Sequence, residues 1–203
     1  RGVNSMRLFA AILLPVLLAA GCVKTGAKGS GPRLATASSI SPTATIYPKA
    51  ELKLADIEIP VEVSQKLNGK EMTVELLSYG QVFEKEIYRA EDDSFCLVDA
   101  AGEKYTEPLP LLKFPMNVGD GWRWTGTMTS GSEPHKASAR VSTSTEQLLL
   151  PSGPAESVLV VVDLEIDGGS PTPATRKLRF WFAMGKGLVK RQFGIGSSRE
   201  PTE

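Results

Sequence analysis

The sequence has one histidine, His135, and two cysteines, Cys22 and Cys96, among its 203 residues. A Ser-His-Asp triad would need that one histidine, and no serine stands in a G-x-S-x-G context. One histidine and one cysteine within an apolar strand do not supply the ligands of a zinc site. His135 lies in a polar stretch, residues 131–136. We therefore predict no catalytic residue, no metal site and no cofactor.

An excess of charge of one sign is also missing. The 23 Lys and Arg residues balance the 23 Asp and Glu residues, and the charges are spread along the predicted strands, which indicates solvated faces. Nucleic-acid binding would call for a basic stripe, so we predict no nucleic-acid partner. The acidic cluster Glu91-Asp92-Asp93 lacks the glycine and terminal glutamate of a calcium loop and is expected to be a solvated turn.

No apolar run reaches the roughly 20 residues that a membrane-spanning helix needs. The longest, residues 8–20, follows Arg7 and ends in small residues just before Cys22. A short apolar run after one positive charge is typical of an export signal. We predict an upstream extension over residues 1–5 and a signal peptide over residues 6–21.

The end of this signal, Leu18-Ala19-Ala20-Gly21-Cys22, resembles the lipobox of bacterial lipoproteins. The resemblance implies that the Cys22 thiol is lipidated, with acyl chains such as palmitate, and that the chain is cut before it. Ala19 stands where the lipobox usually has leucine. An ordinary signal peptide with A-x-A cleavage and an incidental cysteine is the alternative. Several acyl chains anchor a protein stably because each buried methylene contributes about 0.8 kcal/mol.

The residues after Cys22 are Val23 and Lys24, without the aspartate that resembles an inner-membrane retention mark. We therefore expect attachment to the outer membrane, on the periplasmic side. Residues 22–46 are rich in Gly, Ser, Thr and Lys and cannot bury enough apolar surface to order themselves. They are expected to be a flexible tether that holds the domain roughly 25 to 30 Å from the membrane. Cys96, in an apolar strand, is expected to be a buried, inert thiol.

Alternation of apolar and polar residues predicts strands through the rest of the chain. Val158, Val160, Val162, Leu164 and Ile166 share one face of a predicted strand, and Asn68-Gly69 is a hairpin turn by composition. Pro110 and Pro115 imply an edge, a bend or a crossing between sheets. We predict one all-β domain, residues 47–196, and a disordered tail, residues 197–203. Its fold is expected to be an antiparallel meander of about nine or ten strands, strongly curved into a half-barrel or barrel.

Two segments, residues 112–122 and 180–190, resemble paired markers of uncharacterised bacterial envelope lipoproteins. The resemblance implies a mid-domain F-P-x-x-V-G-x-x-W and a terminal W-[FY]-A-x-G-x-G-L-V-K, with Met184 where relatives often have proline. It carries no activity. The residues suit scaffolding, because large aromatics next to turns pin strands and glycines permit tight reversals. The structural markers are Phe114, Trp122, Trp124, Trp181, Gly185 and Gly187.

Two functional hypotheses follow. The first is a membrane-anchored, non-catalytic binding module whose concave face holds an acyl chain or a lipidated partner; its candidate lining residues are Val160, Val162, Phe180 and Phe182. The second is a structural or assembly accessory that displays a packed sheet to an envelope protein and has no small-molecule site. An empty concave face favours the first hypothesis, and a filled one favours the second.

We predict that Cys22→Ser abolishes incorporation of labelled palmitate and moves the folded protein out of the membrane fraction, because the thiol is the attachment point of the anchor. Fractionation of cells that express the parent and the variant measures this. Continued membrane attachment of the variant would contradict the anchor.

Overall fold

The computed structural model describes residues 36–40, 46–54, 57–150, 152–169 and 172–194. In these residues it has eleven strands and one 3-10 turn, Ala37–Ile40. The predicted extension, signal peptide and tail, Cys22, and the tether up to residue 35 lie outside the described residues. The strands are β1 Ile46–Leu54, β2 Ile57–Asn68, β3 Glu71–Ser78, β4 Gln81–Ala90, β5 Ser94–Ala100, β6 Glu103–Lys113, β7 Gly121–Ser130, β8 Glu133–Leu150, β9 Gly153–Asp167, β10 Ala174–Ala183 and β11 Gly187–Gly194.

Each strand pairs antiparallel with the next, so the sheet order is the sequence order from β1 to β11. The sheet is one meander curled into a half-barrel, which confirms the predicted fold class. Ten strands coincide with those expected from alternation, and β1 is additional. Its ladder to β2 is interrupted between Tyr47 and Ala50, where Pro48 stands and cannot donate a backbone hydrogen bond.

The meander gives the sheet two distinct ends. The entry end is where β1 begins, and it carries the turns β2–β3, β4–β5, β6–β7, β8–β9 and β10–β11. The cavity end carries the turns between the other consecutive strands, including β5–β6 at Ala101-Gly102. Gly69, in the predicted Asn68-Gly69 turn at the entry end, has a φ of 61°, a conformation that glycine adopts without a Cβ penalty.

The ladder between β6 and β7 is short, because only Glu103, Lys104 and Tyr105 pair across it. Beyond them β6 contains Pro108 and Pro110 and runs as a free edge on its β7 side, as expected from the proline content. Side chains bridge this opening. Trp122 Nε1 donates to the Pro110 carbonyl oxygen at 2.9 Å, and the Thr127 backbone N–H donates to Glu107 Oε2 at 2.7 Å.

The core lies inside the curl, where inward side chains of the first strands meet those of the last. Phe95 of β5 meets Phe182 of β10 edge to face, with ring centroids 5.6 Å apart. The Gln65 side chain of β2 donates through Nε2 to the Leu188 carbonyl oxygen of β11 at 2.7 Å. These contacts between strands far apart in sequence bring the two flanks of the sheet together.

Part of the predicted tether packs on the domain, which corrects the boundary expected from composition. Ile40, at the end of the 3-10 turn, is buried in the core. The Ser39 carbonyl accepts a hydrogen bond from the Gly185 N–H at 3.1 Å. One apolar side chain and one backbone hydrogen bond thus fix a segment whose polar composition indicated a free linker.

We predict that Phe180→Ala lowers the free energy of unfolding by about 3 to 5 kcal/mol, because the fully buried ring leaves a cavity in the core. Phe83→Ala, at a half-exposed position of β4, is the control and is expected to change it by about 0.5 kcal/mol or less. Urea unfolding measures both. Equal effects of the two variants would contradict the assignment of Phe180 to the core.

Candidate functional site

The four predicted lining residues do not face an open concave surface. Val160, Val162, Phe180 and Phe182 are all fully buried and belong to one core cluster. Phe180 packs edge to face on Phe193 with ring centroids 5.7 Å apart, and Phe182 packs on Phe95. The concave face is therefore filled by side chains at these positions, and a ligand has no access to them without displacing the core.

An opening exists at the cavity end, between β5–β6 and β10–β11. Its volume is about 210 Å³. It lies past the last filled layer of the core, where β10 begins and β11 ends. Two of its walls, Leu178 and Phe193, are cross-strand partners of each other. The full lining is Leu97, Ala100, Ala101, Glu103, Tyr105, Arg176, Leu178 and Phe193.

The cavity combines an apolar wall with a polar group of three side chains. Arg176 Nη1 donates to Glu103 Oε1, so an ion pair joins β10 to β6. Arg176 is partly exposed, whereas Glu103 is largely buried. Tyr105 is buried and packs on Trp124 with ring centroids 5.9 Å apart. Burial, and then the negative charge of Glu103, raise the pKa of Tyr105, so its hydroxyl keeps its proton.

Within the described part of the chain the Tyr105 hydroxyl has no hydrogen-bond partner. The buried side-chain atoms without a hydrogen-bond partner in the described residues are Gln65 Oε1 and Glu86 Oε1, so the Tyr105 oxygen is instead accessible at the cavity wall. A proton donor without a partner on the wall of an apolar cavity is suited to hold the oxygen of a ligand. The cavity is thus able to bind an apolar group and to orient a polar end.

A second polar cluster lies deeper inside the curl and joins β4 to β11. Arg191 Nη2 donates to Glu84 Oε2 at 2.6 Å, and Arg191 Nε lies 2.7 Å from Glu86 Oε1. Tyr88 donates its hydroxyl to Glu86 Oε2 at 2.8 Å. Glu86 and Tyr88 are fully buried. This network of three charged groups and one hydroxyl connects two strands that are seven positions apart in the sheet order.

Burial raises the pKa of Glu86 to about 7, although the positive charge of Arg191 and the Tyr88 hydrogen bond act in the opposite direction. Desolvation therefore outweighs the ion pair at this carboxyl. Around neutral pH the cluster holds a mixture of protonated and ionised Glu86. Because the network contributes to joining β4 to β11, its protonation affects the stability of the curl.

The structural markers lie at strand ends and turns. Trp122 and Trp124 point toward the core from β7, and Phe114 packs against it from the β6–β7 loop. Trp181 is buried on the outer side of β10, where its Nε1 donates to Glu146 Oε2 at 2.8 Å and Lys190 Nζ lies 4.4 Å from its ring centroid. In the β10–β11 turn, Gly185 and Gly187 have φ angles of 64° and 74°.

The residues considered for chemistry lie apart from one another. Cys96 is a buried free thiol, as predicted, and burial raises its pKa. His135 lies at the start of β8, next to the β7–β8 turn. Among the described residues no group of three His, Cys, Asp or Glu side chains could hold a metal ion. No helix in the described ranges has the length and apolar character to cross a membrane.

Comparison of the chain with known protein families, with curated proteins and with solved structures finds no match. The candidate site therefore depends on the geometry alone. Sequence reasoning missed Tyr105, Arg176 and Glu86. In the sequence, Glu86 shares the phase of Tyr88 in the alternation of β4; the structure shows that these two residues of this phase are buried, whereas Phe83, in the opposite phase, is exposed.

We predict that the Glu86 carboxyl makes the protein less stable as pH rises. Its folded pKa of about 7 exceeds the ordinary value of 4.5, so its contribution is fully present below pH 4.5 and is lost as pH rises through 7. Between these limits the stability advantage of the parent over Glu86→Gln should fall by roughly 3 kcal/mol.

Urea unfolding of both proteins at a series of pH values measures this advantage. Glu75→Gln, which removes a carboxylate from the surface ion pair with Lys66, is the control and should keep the parent's pH dependence. A constant difference between the parent and Glu86→Gln would contradict the buried, protonated carboxyl.

Proposed function

We propose that this chain is a bacterial envelope lipoprotein whose β domain is a non-catalytic binding module for a small hydrophobic ligand. The lipobox-like segment that ends at Cys22 supports the anchor, and the absence of aspartate after it favours the outer membrane and the periplasmic side. The resemblance of residues 112–122 and 180–190 to envelope lipoproteins supports the same location. The observation that carries the binding function is the cavity with Tyr105 on its wall.

The size of the cavity limits the ligand. An apolar cavity of about 150 Å³ is large enough to bind benzene, and this one measures about 210 Å³. Pockets for drug-sized ligands are larger, about 300 to 1,000 Å³. A short acyl chain or a ring therefore fits the space, and a whole phospholipid does not. The site of this proposal differs from the predicted face, because Val160, Val162, Phe180 and Phe182 are buried in the core.

The polar side chains of the cavity indicate where the polar end of such a ligand binds. The Tyr105 hydroxyl is a proton donor and lacks a partner in the described residues, so it suits a carbonyl or carboxylate oxygen. Arg176 is partly exposed beside it and adds positive charge, which Glu103 partly compensates. The apolar part of the ligand would contact Leu97, Leu178 and Phe193. An acyl group with its oxygens near Tyr105 satisfies both requirements.

The assembly accessory is the second candidate, and two observations favour it. The concave face is filled by the core, which was the feature expected to distinguish the accessory from the carrier. In addition, Tyr79, Val82 and Phe83 are exposed together at the β3–β4 hairpin, and exposed apolar side chains in a group are typical of protein contact sites. If the protein is an assembly accessory, the cavity is not a ligand-binding site.

We predict that saturated carboxylates from hexanoate to decanoate bind residues 36–203 with an affinity that rises about fourfold per methylene. The rise should stop when the chain outgrows the cavity. Chemical-shift titration measures the affinities, and the largest shifts should fall on Ala100, Tyr105, Leu178 and Phe193.

Two variants test the position of the ligand. Ala100→Phe fills the cavity and should abolish binding, whereas Tyr105→Phe keeps the shape and should weaken binding roughly fivefold through loss of one hydrogen bond. Thermal unfolding checks that each variant is folded. The accessory candidate would be supported, and the binding module contradicted, if no carboxylate shifted these resonances in the folded parent.

A further inference from the structure

Large apolar side chains are exposed at both ends of the sheet. At the entry end, Leu149 of the β8–β9 hairpin is 87% exposed and Met184 of the β10–β11 turn is 52% exposed. At the cavity end, Tyr79 of the β3–β4 turn is 98% exposed. Either group could contact a membrane or a protein. The point at which the anchored chain enters the domain shows which group lies nearer the membrane.

We propose that the entry end rests on the surface of the bilayer, with Leu149 and Met184 in contact with lipid. This orientation depends on the proposed anchor at Cys22. The anchor alone does not fix this orientation, because a lipidated cysteine on a long linker would leave the domain free to turn in any direction.

The chain enters the described part of the domain at the entry end. The 3-10 turn Ala37–Ile40 is fixed at the entry end, since the Ser39 carbonyl accepts a hydrogen bond from the Gly185 N–H, next to Met184. Strand β1 also begins at this end. Lys186 Nζ donates to Ser152 Oγ at 2.7 Å, so the β8–β9 and β10–β11 turns lie side by side. The anchored chain thus arrives beside the two exposed apolar residues.

The length of chain between Cys22 and the domain also favours the entry end. Docking of the 3-10 turn leaves 13 residues between Cys22 and Thr36, and a flexible tether of that length, as their Gly-rich and Ser-rich composition predicts, would span about 20 Å on average. Strand β9 has 15 residues, and at about 3.3 Å per residue it is about 50 Å long. The cavity end therefore lies well beyond the average reach of the anchor, and the entry end lies within it.

This orientation places the cavity on the side of the domain that faces away from the membrane. Ala101 and Arg176 lie at the opposite end of the sheet from Leu149 and Met184. A ligand then enters from the aqueous phase or from a partner protein rather than directly from the bilayer that holds the anchor.

The test uses the full lipidated chain on vesicles of phosphatidylethanolamine and phosphatidylglycerol. A single cysteine is introduced as Leu149→Cys or Met184→Cys. Tyr79→Cys and Phe83→Cys are the matched controls at the cavity end. Each new cysteine is labelled with an environment-sensitive fluorophore. Cys96 is buried and its thiol pKa is raised, so it should react little. Flotation with the vesicles is measured first, and then the emission of the fluorophore and its quenching by brominated lipid.

We expect a blue shift and quenching at positions 149 and 184, and neither at positions 79 and 83. Flotation without any shift, or with shifts at 79 and 83 instead, would overturn the orientation and leave the anchor intact. Failure of the parent chain to float would overturn the anchor and, with it, this inference. Flotation thus separates the failure of the proposed function from the failure of the orientation.

Discussion

The contacts between β4 and β11 are the interactions on which the shape of the domain depends. A single sheet of eleven strands has a whole face to bury, and the described residues form no second layer that could cover it. The sheet buries this face by curling, so that its last strands pack against its first strands. Arg191 then meets Glu84 and Glu86, and the Gln65 side chain reaches the Leu188 carbonyl oxygen. These polar contacts fix the position of one flank against the other more specifically than apolar packing alone does.

The same curl determines where a ligand has room. The middle of the concave face is filled, because Phe182 of β10 meets Phe95 of β5 across the curl and Phe180 packs on Phe193 of the neighbouring strand β11. At the cavity end the flanks leave a space, and there the wall is a mixture of apolar side chains with Tyr105 and the Glu103–Arg176 pair. The proposed binding module and the proposed orientation both follow from this division into a filled centre and two different ends.

Much of the fold was readable from the sequence because alternation is a local property. Residues 158–166 show it clearly, and the structure buries the predicted face. Strand β1 was missed because Pro48 interrupts its ladder and a polar segment precedes it. The docking of Ile40 was missed for a related reason: one apolar residue in a polar stretch gives no periodic signal. Alternation shows which residues point inward, but it does not show whether they line an open space or pack against other side chains. The difference depends on which side chains the opposite flank of the sheet brings to the same place.

The candidate site was less predictable than the fold. Glu84 and Glu86 look like residues of a solvated strand, and their inward direction is explained only by Arg191, more than a hundred residues later. Tyr105 and Arg176 come from β6 and β10, which are far apart in sequence and meet only because the sheet curls. Long-range pairing of this kind leaves no mark in the local pattern of either segment.

Native mass spectrometry with lipid extraction tests the central claim, that the domain binds a small hydrophobic ligand, most directly. Residues 36–203 would be exported to the periplasm of the host without the anchor and purified without detergent. We predict a second mass that exceeds the protein mass by one short acyl species, and we predict that this second mass is absent from the Ala100→Phe variant. A single mass equal to that of the protein alone would contradict it and would direct the search to a protein partner.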